Sequence, residues 1–443
     1  MAEATSRRDL LVGLGAATVA GLATTFGGSS PARAGVGWGT GPHSRLPFWL
    51  GCHGQVDEFE QLLPAGRSVD VVYLWEREGT YLDVAAADPT AWARTGAHSR
   101  LVAGRASAVQ WSSSPFCSGN FTVPAAFPTS TLSARTHLNC SRPPTYHGSE
   151  SASERTGKQR RVWQIAANGW MDAIWRQKFV TYKRDYFVKN RLRNVRIVLR
   201  VAHELNTSTK WGNRSYRRSY GMMLLNTADD YRLVQEALRR YMALFLDVFA
   251  EVQPDIPGDF AYPISQLWPY WNTGPGHKGP VNVVLTCPTN ARLVGPDYYN
   301  FWPALRTEAE WNAQLYAKTK AGGPFGLGAW LSWARSIGRP LCLGEIGLMS
   351  SSMTSSGGRP AEEGWDNPLF ITKLFDLCKA NAADIGFISY FNIDSIASSS
   401  LPQHLIKSWP GIDQPSASCV RSPPGDNNRC GARALANWAA ANS

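Results

Sequence analysis

The chain has 443 residues and a formal net charge of +11, with 44% hydrophobic and 18% charged residues. An apolar share of that size is ordinary for a globular chain and can fill a sizeable core. The basic residues are spread out, apart from Lys158-Gln159-Arg160-Arg161 and the stretch Arg214 to Arg218. That spread argues against nucleic acid and leaves an acidic glycan, an anionic envelope or plain solubility as reasons for the charge.

The N-terminus sets the compartment. Ser6-Arg7-Arg8-Asp9-Leu10-Leu11 puts two arginines before a weakly apolar run from Leu10 to Phe26, and Ala32-Arg33-Ala34 follows Pro31. A basic region, an apolar region and a small-x-small site in that order predict a twin-arginine export signal over 1–34, cleaved after Ala34. The run is short and rich in Gly, Ala and Thr, so it spans a bilayer poorly, and no later segment is long and apolar enough to do so. Residues 35–443 are therefore expected to be secreted or periplasmic, free of stable membrane insertion, and monomeric.

After the signal, short apolar runs alternate with amphipathic stretches, the pattern of βα units on a parallel sheet. Leu46 to Gly51 and Val69 to Trp75 read as strands, with a Phe59/Leu62/Leu63 helix face between them. Residues 105–161 are polar and too long for an ordinary connection, which predicts a loop insertion on one rim. Val162 to Ala167 reads as a strand, and Trp175, Phe179, Tyr182 and Tyr186 mark one buried face of the helix after it. Val195 to Val201 is a β-branched strand. Asp229 to Val252 is the clearest helix, with Thr227 as its N-cap.

Val281 to Leu285 and Arg292 to Tyr298 read as strands, and strand five is hard to place between Phe260 and Asn290. Trp330 to Ile337 is a helix closed by Gly338, and Leu341 to Gly344 is a strand. Asp366-Asn367-Pro368 opens a further helix, and Ile385 to Phe391 is the last strand. The sum is eight strands, which fits a (β/α)8 barrel with reacting groups at the strand C-terminal ends. A C-terminal extension, 401–443, is loop-rich and ends in a short Ala-rich helix.

The eight cysteines are even in number, and export permits disulfides. Cys117/Cys140 and Cys419/Cys430 lie at loop-closing distances, so the C-terminal tail is expected to carry a disulfide. Cys342 and Cys378 read as buried thiols. No CxxC pair is present and the histidines are scattered, so neither zinc nor any other metal or cofactor is expected. The 18 tryptophans are more than a core needs, and indole faces stack well on sugar rings. Trp163, Trp170, Trp268, Trp271 and Trp302 are sugar-subsite candidates.

Two carboxylates stand at strand ends: Glu204 closes Leu199-Arg200-Val201-Ala202-His203-Glu204, and Glu345 closes Leu341-Cys342-Leu343-Gly344-Glu345. Glycosidic cleavage needs such a pair, one carboxyl to protonate the leaving oxygen and one to attack or stabilise the cationic sugar centre. Strand ends far apart in sequence converge on one barrel mouth. Rival chemistries fail on spacing. Position 207 is Thr where a zincin needs its second His, and no G-x-S-x-G elbow, P-loop or dinucleotide fingerprint is present.

Arg200-Val201-Ala202-His203-Glu204-Leu205-Asn206, with Trp211 shortly after, resembles the acid/base segment of the family 26 glycoside hydrolases of clan A. Arg339-Pro340 to Gly344-Glu345-Ile346-Gly347 resembles that family's nucleophile strand, and Gly295-Pro296-Asp297-Tyr298-Tyr299 the strand before it. Thr207 replaces the family's usual Gly, and Trp211 is displaced. The resemblance covers 160–395 in pieces. It implies a retaining mechanism with Glu204 as acid/base and Glu345 as nucleophile, and a polysaccharide substrate, mannan first. It further implies a hydrogen bond to Glu345 from Tyr299 or Tyr298, a brace from Arg200, and a contact from His203 to a carboxylate or the sugar. Glu204 is expected to start protonated, raised by the negative Glu345 and by partial burial. The alternatives are a glycosidase of bacterial envelope or exopolysaccharide glycans, and a carbohydrate-binding barrel without catalysis.

Overall fold

A computed structural model describes residues 38–75, 92–93, 95–113, 152–192, 195–201, 227–252, 258–265, 283–300, 305, 307–319, 322–348, 367–392 and 430–443. Eight parallel strands close into a barrel in sequence order: β1 (Trp49–Gly54), β2 (Val71–Trp75), β3 (Ala108–Ser113), β4 (Arg196–Val201), β5 (Gly258–Ser265), β6 (Leu293–Asn300), β7 (Leu341–Leu348) and β8 (Ile385–Asn392). β1 pairs with β8 over six residues, from Trp49–Phe387 to Gly54–Asn392, which seals the ring. The expected (β/α)8 barrel is the fold.

The helices form for local reasons. α1 (Val56–Glu60), α2 (Gly96–Val102), α3 (Ala152–Ala167), α4 (Asp172–Tyr182) and α5 (Ala228–Val252) precede β6; α6 (Glu308–Leu315), α7 (Leu327–Ser336), α8 (Pro368–Ala380) and α9 (Cys430–Asn442) follow it. α5 buries Val234, Leu238, Tyr241, Phe245 and Val248, a stripe at helical spacing. Thr227 caps α5 by accepting from Asp230 N at 3.1 Å, as the sequence predicts. α8 starts at Pro368 behind the N-cap Asn367, whose side chain accepts from Phe370 N. α9 docks on α8 through Trp438, which stacks on Phe48 and donates to Asp376 at 2.8 Å.

Two predicted strands are corrected. Val162 to Ala167 is the last part of helix α3, and Val281 to Leu285 gives way to a 3-10 turn, Val283–Thr286. The true members are β3, inside the expected insertion, and β5, which starts two residues before the stretch that resisted assignment and runs into it. An apolar run of six residues does not by itself distinguish strand from helix. β5 carries Gly258, Asp259 and Pro263, which are poor strand formers.

Alternation along the strands builds two layers inside the barrel. Val71, Ala108, Val198, Leu293, Cys342 and Phe387 form a small apolar cluster with Trp38, on which Trp49 packs. Above it, toward the strand C-terminal ends, the inward positions turn polar: Tyr73, Gln110, Arg200, Asp297 and Glu345. The outward residues join the larger core under the helices.

The ladder is irregular around β7. Between the pairs Val294–Leu341 and Asp297–Glu345, β7 spends one more residue than β6. Gly295 lies at this crowding point, where an added Cβ would sit 1.7 Å from the Cys342 carbonyl oxygen. The extra residue changes which face β7 presents: Leu343 and Ile346 both belong to the outer core, so Gly344 and Glu345 both turn inward. A bulge that re-aims a side chain beside a functional site is a recurrent use of this irregularity.

Four described cysteines, Cys52, Cys287, Cys342 and Cys378, are thiols outside any disulfide. Cys117, Cys140 and Cys419 lie outside the described residues. Burial pushes the Cys287 and Cys378 thiols up to about 12. Among the described residues no helix is long and apolar enough to cross a membrane.

Candidate active site

The polar layer centres on Arg200, fully buried at the inward face of β4. Its Nη1 donates to Glu345 Oε1 and to the Tyr73 hydroxyl, and its Nη2 donates to Asp297 Oδ2. Glu345 is 2% exposed. Its Oε1 also accepts from Tyr73 at 3.3 Å, and its Oε2 accepts from Tyr299 at 2.8 Å. Behind it, Gln110 Nε2 donates to the Gly344 carbonyl at 3.1 Å. Residues from β2, β4 and β6 thus converge on one carboxylate carried by β7.

Charge makes this arrangement a candidate site rather than a staple. One guanidinium faces two carboxylates, all at most 3% exposed at the side chain. Withdrawing each ion from water costs several kcal/mol, and a buried ion pair is weak evidence for stability. A cluster of strongly perturbed groups at the C-terminal end of barrel strands is a functional-site signature. Burial alone would lower the Arg200 value, but the facing Asp297 and Glu345 carboxylates outweigh it and hold the guanidinium firmly protonated. Burial raises the Tyr73 hydroxyl well above its ordinary value, against the opposing pull of Arg200. Tyr73 therefore stays protonated and serves as a donor.

His53, at the end of β1, stacks on Tyr73 with ring centroids 3.9 Å apart and meets Phe391 edge-on at 4.8 Å. Burial, aided by the positive Arg200, lowers its value to about 3. The imidazole is neutral at any working pH.

Of the sequence candidates, the structure brings together Arg200, Tyr299 and Glu345. Tyr298 points the other way, as alternation demands: it stacks parallel to Phe370 and accepts from Gln314 at 3.2 Å. Trp163 is fully buried on α3 within the core around the barrel, and Trp170 packs against that core. His203, Glu204, Trp211, Trp268, Trp271 and Trp302 lie outside the described residues. Among the described residues no group of His, Cys, Asp and Glu is placed to hold a metal ion.

Sequence reasoning left Tyr73, Gln110, Asp297 and His53 without a role. Period-two counting could have found two of them. Asp297 stands two residues before Tyr299 on β6, and Tyr73 stands two after the inward Val71 on β2.

No protein-family model matches the chain, and no curated protein matches it. Solved structures do overlap the fold. A protein designated GH26C from Muricauda sp. MAR_2010_75 is 12% identical, covering 79% of each chain, with a TM-score of 0.44. The Bacillus subtilis mannanase man26 is 12% identical over 86% of this chain and 94% of its own, at 0.41. A fungal beta-1,4-galactanase is 11% identical over 88% and 98%, at 0.38.

Proposed function

We propose that this chain is an exported retaining glycoside hydrolase acting on a β-linked polysaccharide, with Glu345 as nucleophile and Glu204 as acid/base. The observation that carries the reading is the Glu345 carboxylate, aimed into the barrel mouth with both oxygens held by a cation and two tyrosine hydroxyls.

In the first step Glu345 attacks the anomeric carbon while Glu204 protonates the leaving oxygen; in the second, Glu204 takes a proton from water as it displaces Glu345. Asp297 has a clear electrostatic part. With it, the Arg200–Asp297–Glu345 cluster carries a net charge of −1 before attack and is neutral once Glu345 is esterified. Without it, the same step would run from neutral to +1. A negative cluster faces the cationic transition state in the first case and a neutral one in the second. Arg200 and the tyrosines fix the attacking oxygen, which removes orientational freedom before the reaction.

Mannan is the first substrate to try, on the resemblance of the Glu204 and Glu345 segments to family 26. The net charge of +11 favours an acidic envelope or exopolysaccharide glycan as the second. The deciding experiment screens mannans, galactans and bacterial glycans for reducing-end release. It then adds azide to Glu345→Ala and Glu204→Ala. Each variant should yield a glycosyl azide, with inverted configuration for the first and retained for the second. A Glu345→Ala protein that cleaves as well as wild type would sink the assignment.

A further inference from the structure

We infer that the barrel interior holds one structural water beside Gly344, and that this water is the third partner that positions Arg200. Three observations converge on the spot. A Cβ on Gly344 would have three polar atoms as its nearest neighbours: Gln110 Nε2 at 3.4 Å, Arg200 Nε at 3.5 Å and Asp297 Oδ1 at 3.5 Å. These come from three different strands, and Gln110, Arg200 and Asp297 are all fully buried. Arg200 Nε and Gln110 Oε1 have no hydrogen-bond partner among the described residues.

A guanidinium N–H and an amide oxygen buried without partners each cost about 1–3 kcal/mol. Buried waters typically make about three hydrogen bonds to such groups. A water just beyond the Cβ direction of Gly344 accepts from Arg200 Nε–H and donates toward Asp297 Oδ1 and Gln110 Oε1. The extra residue on β7 turns Gly344 inward, and only the lack of a side chain leaves room there. Gly344 is thus a positioning residue. It keeps a place for the molecule that fixes the guanidinium, whose other two nitrogens hold Glu345 and Asp297. The catalytic consequence rests on the reading of Glu345 as nucleophile; the water itself does not.

Gly344→Ala and Gly344→Ser separate this account from simple crowding. Contacts of 3.4–3.5 Å are ordinary van der Waals distances, so the methyl fits. It displaces the water and offers no hydrogen bond, whereas a serine hydroxyl can replace it. The Ala variant should melt below the Ser variant, although crowding alone would rank the larger residue lower. For activity, kcat should fall about tenfold in Ala with KM little changed, the acid limb of the pH–rate profile should move upward, and Ser should restore both. Gln110→Met should cost less stability on top of Gly344→Ala than alone.

The water is overturned if Ala and Ser melt alike, or if Ser melts lower. It is also overturned if a high-resolution crystal structure shows no density between Arg200 Nε and Gln110 Oε1. The melting order and the density stand without activity, so failure of the glycosidase reading would leave them intact.

Discussion

The two ends of the barrel each bury a carboxylate, and they treat it in opposite ways. Below β1 and β2, Asp70 is fully buried and accepts only from neutral donors: His43 N, Ser44 N, Ser44 Oγ and Leu50 N. At the mouth, Glu345 takes a cation and two tyrosines. Three of these donors strap the segment before β1 to the barrel floor and the fourth, Leu50 N, comes from β1 itself; Gly41 is part of the fit, since a Cβ there would strike Asp70 at 2.3 Å. Burial raises the Asp70 value despite those donors. The floor uses a carboxylate as a structural acceptor; the mouth sets one against a cation and aims it inward. Holding a fold together and presenting a charged group in a barrel mouth call for different neighbours around the same carboxylate.

The largest effect should come from Glu345→Gln, which keeps shape and removes charge. Turnover should drop by at least about 10^3-fold on the best substrate, with melting temperature unchanged or higher. Next, Arg200→Met leaves Asp297 and Glu345 facing each other in a dry site, so one of them must take up a proton. A loss on the order of 10^2-fold in kcat and an upward-moving acid limb are expected, read from pH–rate profiles.

Asp70→Ala tests the other end. It strands several buried donors and should cost about 3 kcal/mol in urea unfolding, while kcat of the folded fraction stays at the wild-type value. Loss of turnover at temperatures where the variant is folded would erase the contrast drawn between floor and mouth. Tyr299→Phe is smaller, roughly tenfold in kcat, because one hydrogen bond to a charged group is removed and Arg200 remains. Tyr73→Phe should cost less again, since Oε1 keeps its guanidinium.

The smallest effect belongs to His53. Its folded value of about 3 lies below the ordinary 6.5, so the unfolded chain takes up the proton first. Its contribution to stability is therefore full above about pH 6.5 and is lost as pH falls toward about 3. An NMR titration should show no protonation of His53 between pH 5 and 8. His53→Phe should lose part of the acid sensitivity of unfolding.

Much of this was legible in the chain. The βα alternation and the aromatic stripe of α5 are one-dimensional patterns with a direct physical cause, whereas Glu345, read as the end of its strand, lies inside β7 (Leu341–Leu348). What stayed hidden needed a partner to be seen. β3 has two polar residues facing inward, Gln110 and Ser112, so it reads as loop until a barrel exists to receive them. α3 looks like a strand over Val162 to Ala167 because its polar face begins ten residues earlier. Tyr73 and Asp297 fall at inward positions that period-two counting gives, but their part shows only once Arg200 stands between them.

The irregularity in β7 has a consequence for anyone who would move this site elsewhere. The direction of Glu345 is set by a count of residues along the strand, not by the identity of any of them. A graft that copied every side chain of the mouth onto a regular eight-stranded scaffold would carry Glu345 to the outer face, under the helices. In such a molecule, alignment by residue type alone can match every polar group of the mouth and still describe a barrel with its central carboxylate on the wrong side of the wall.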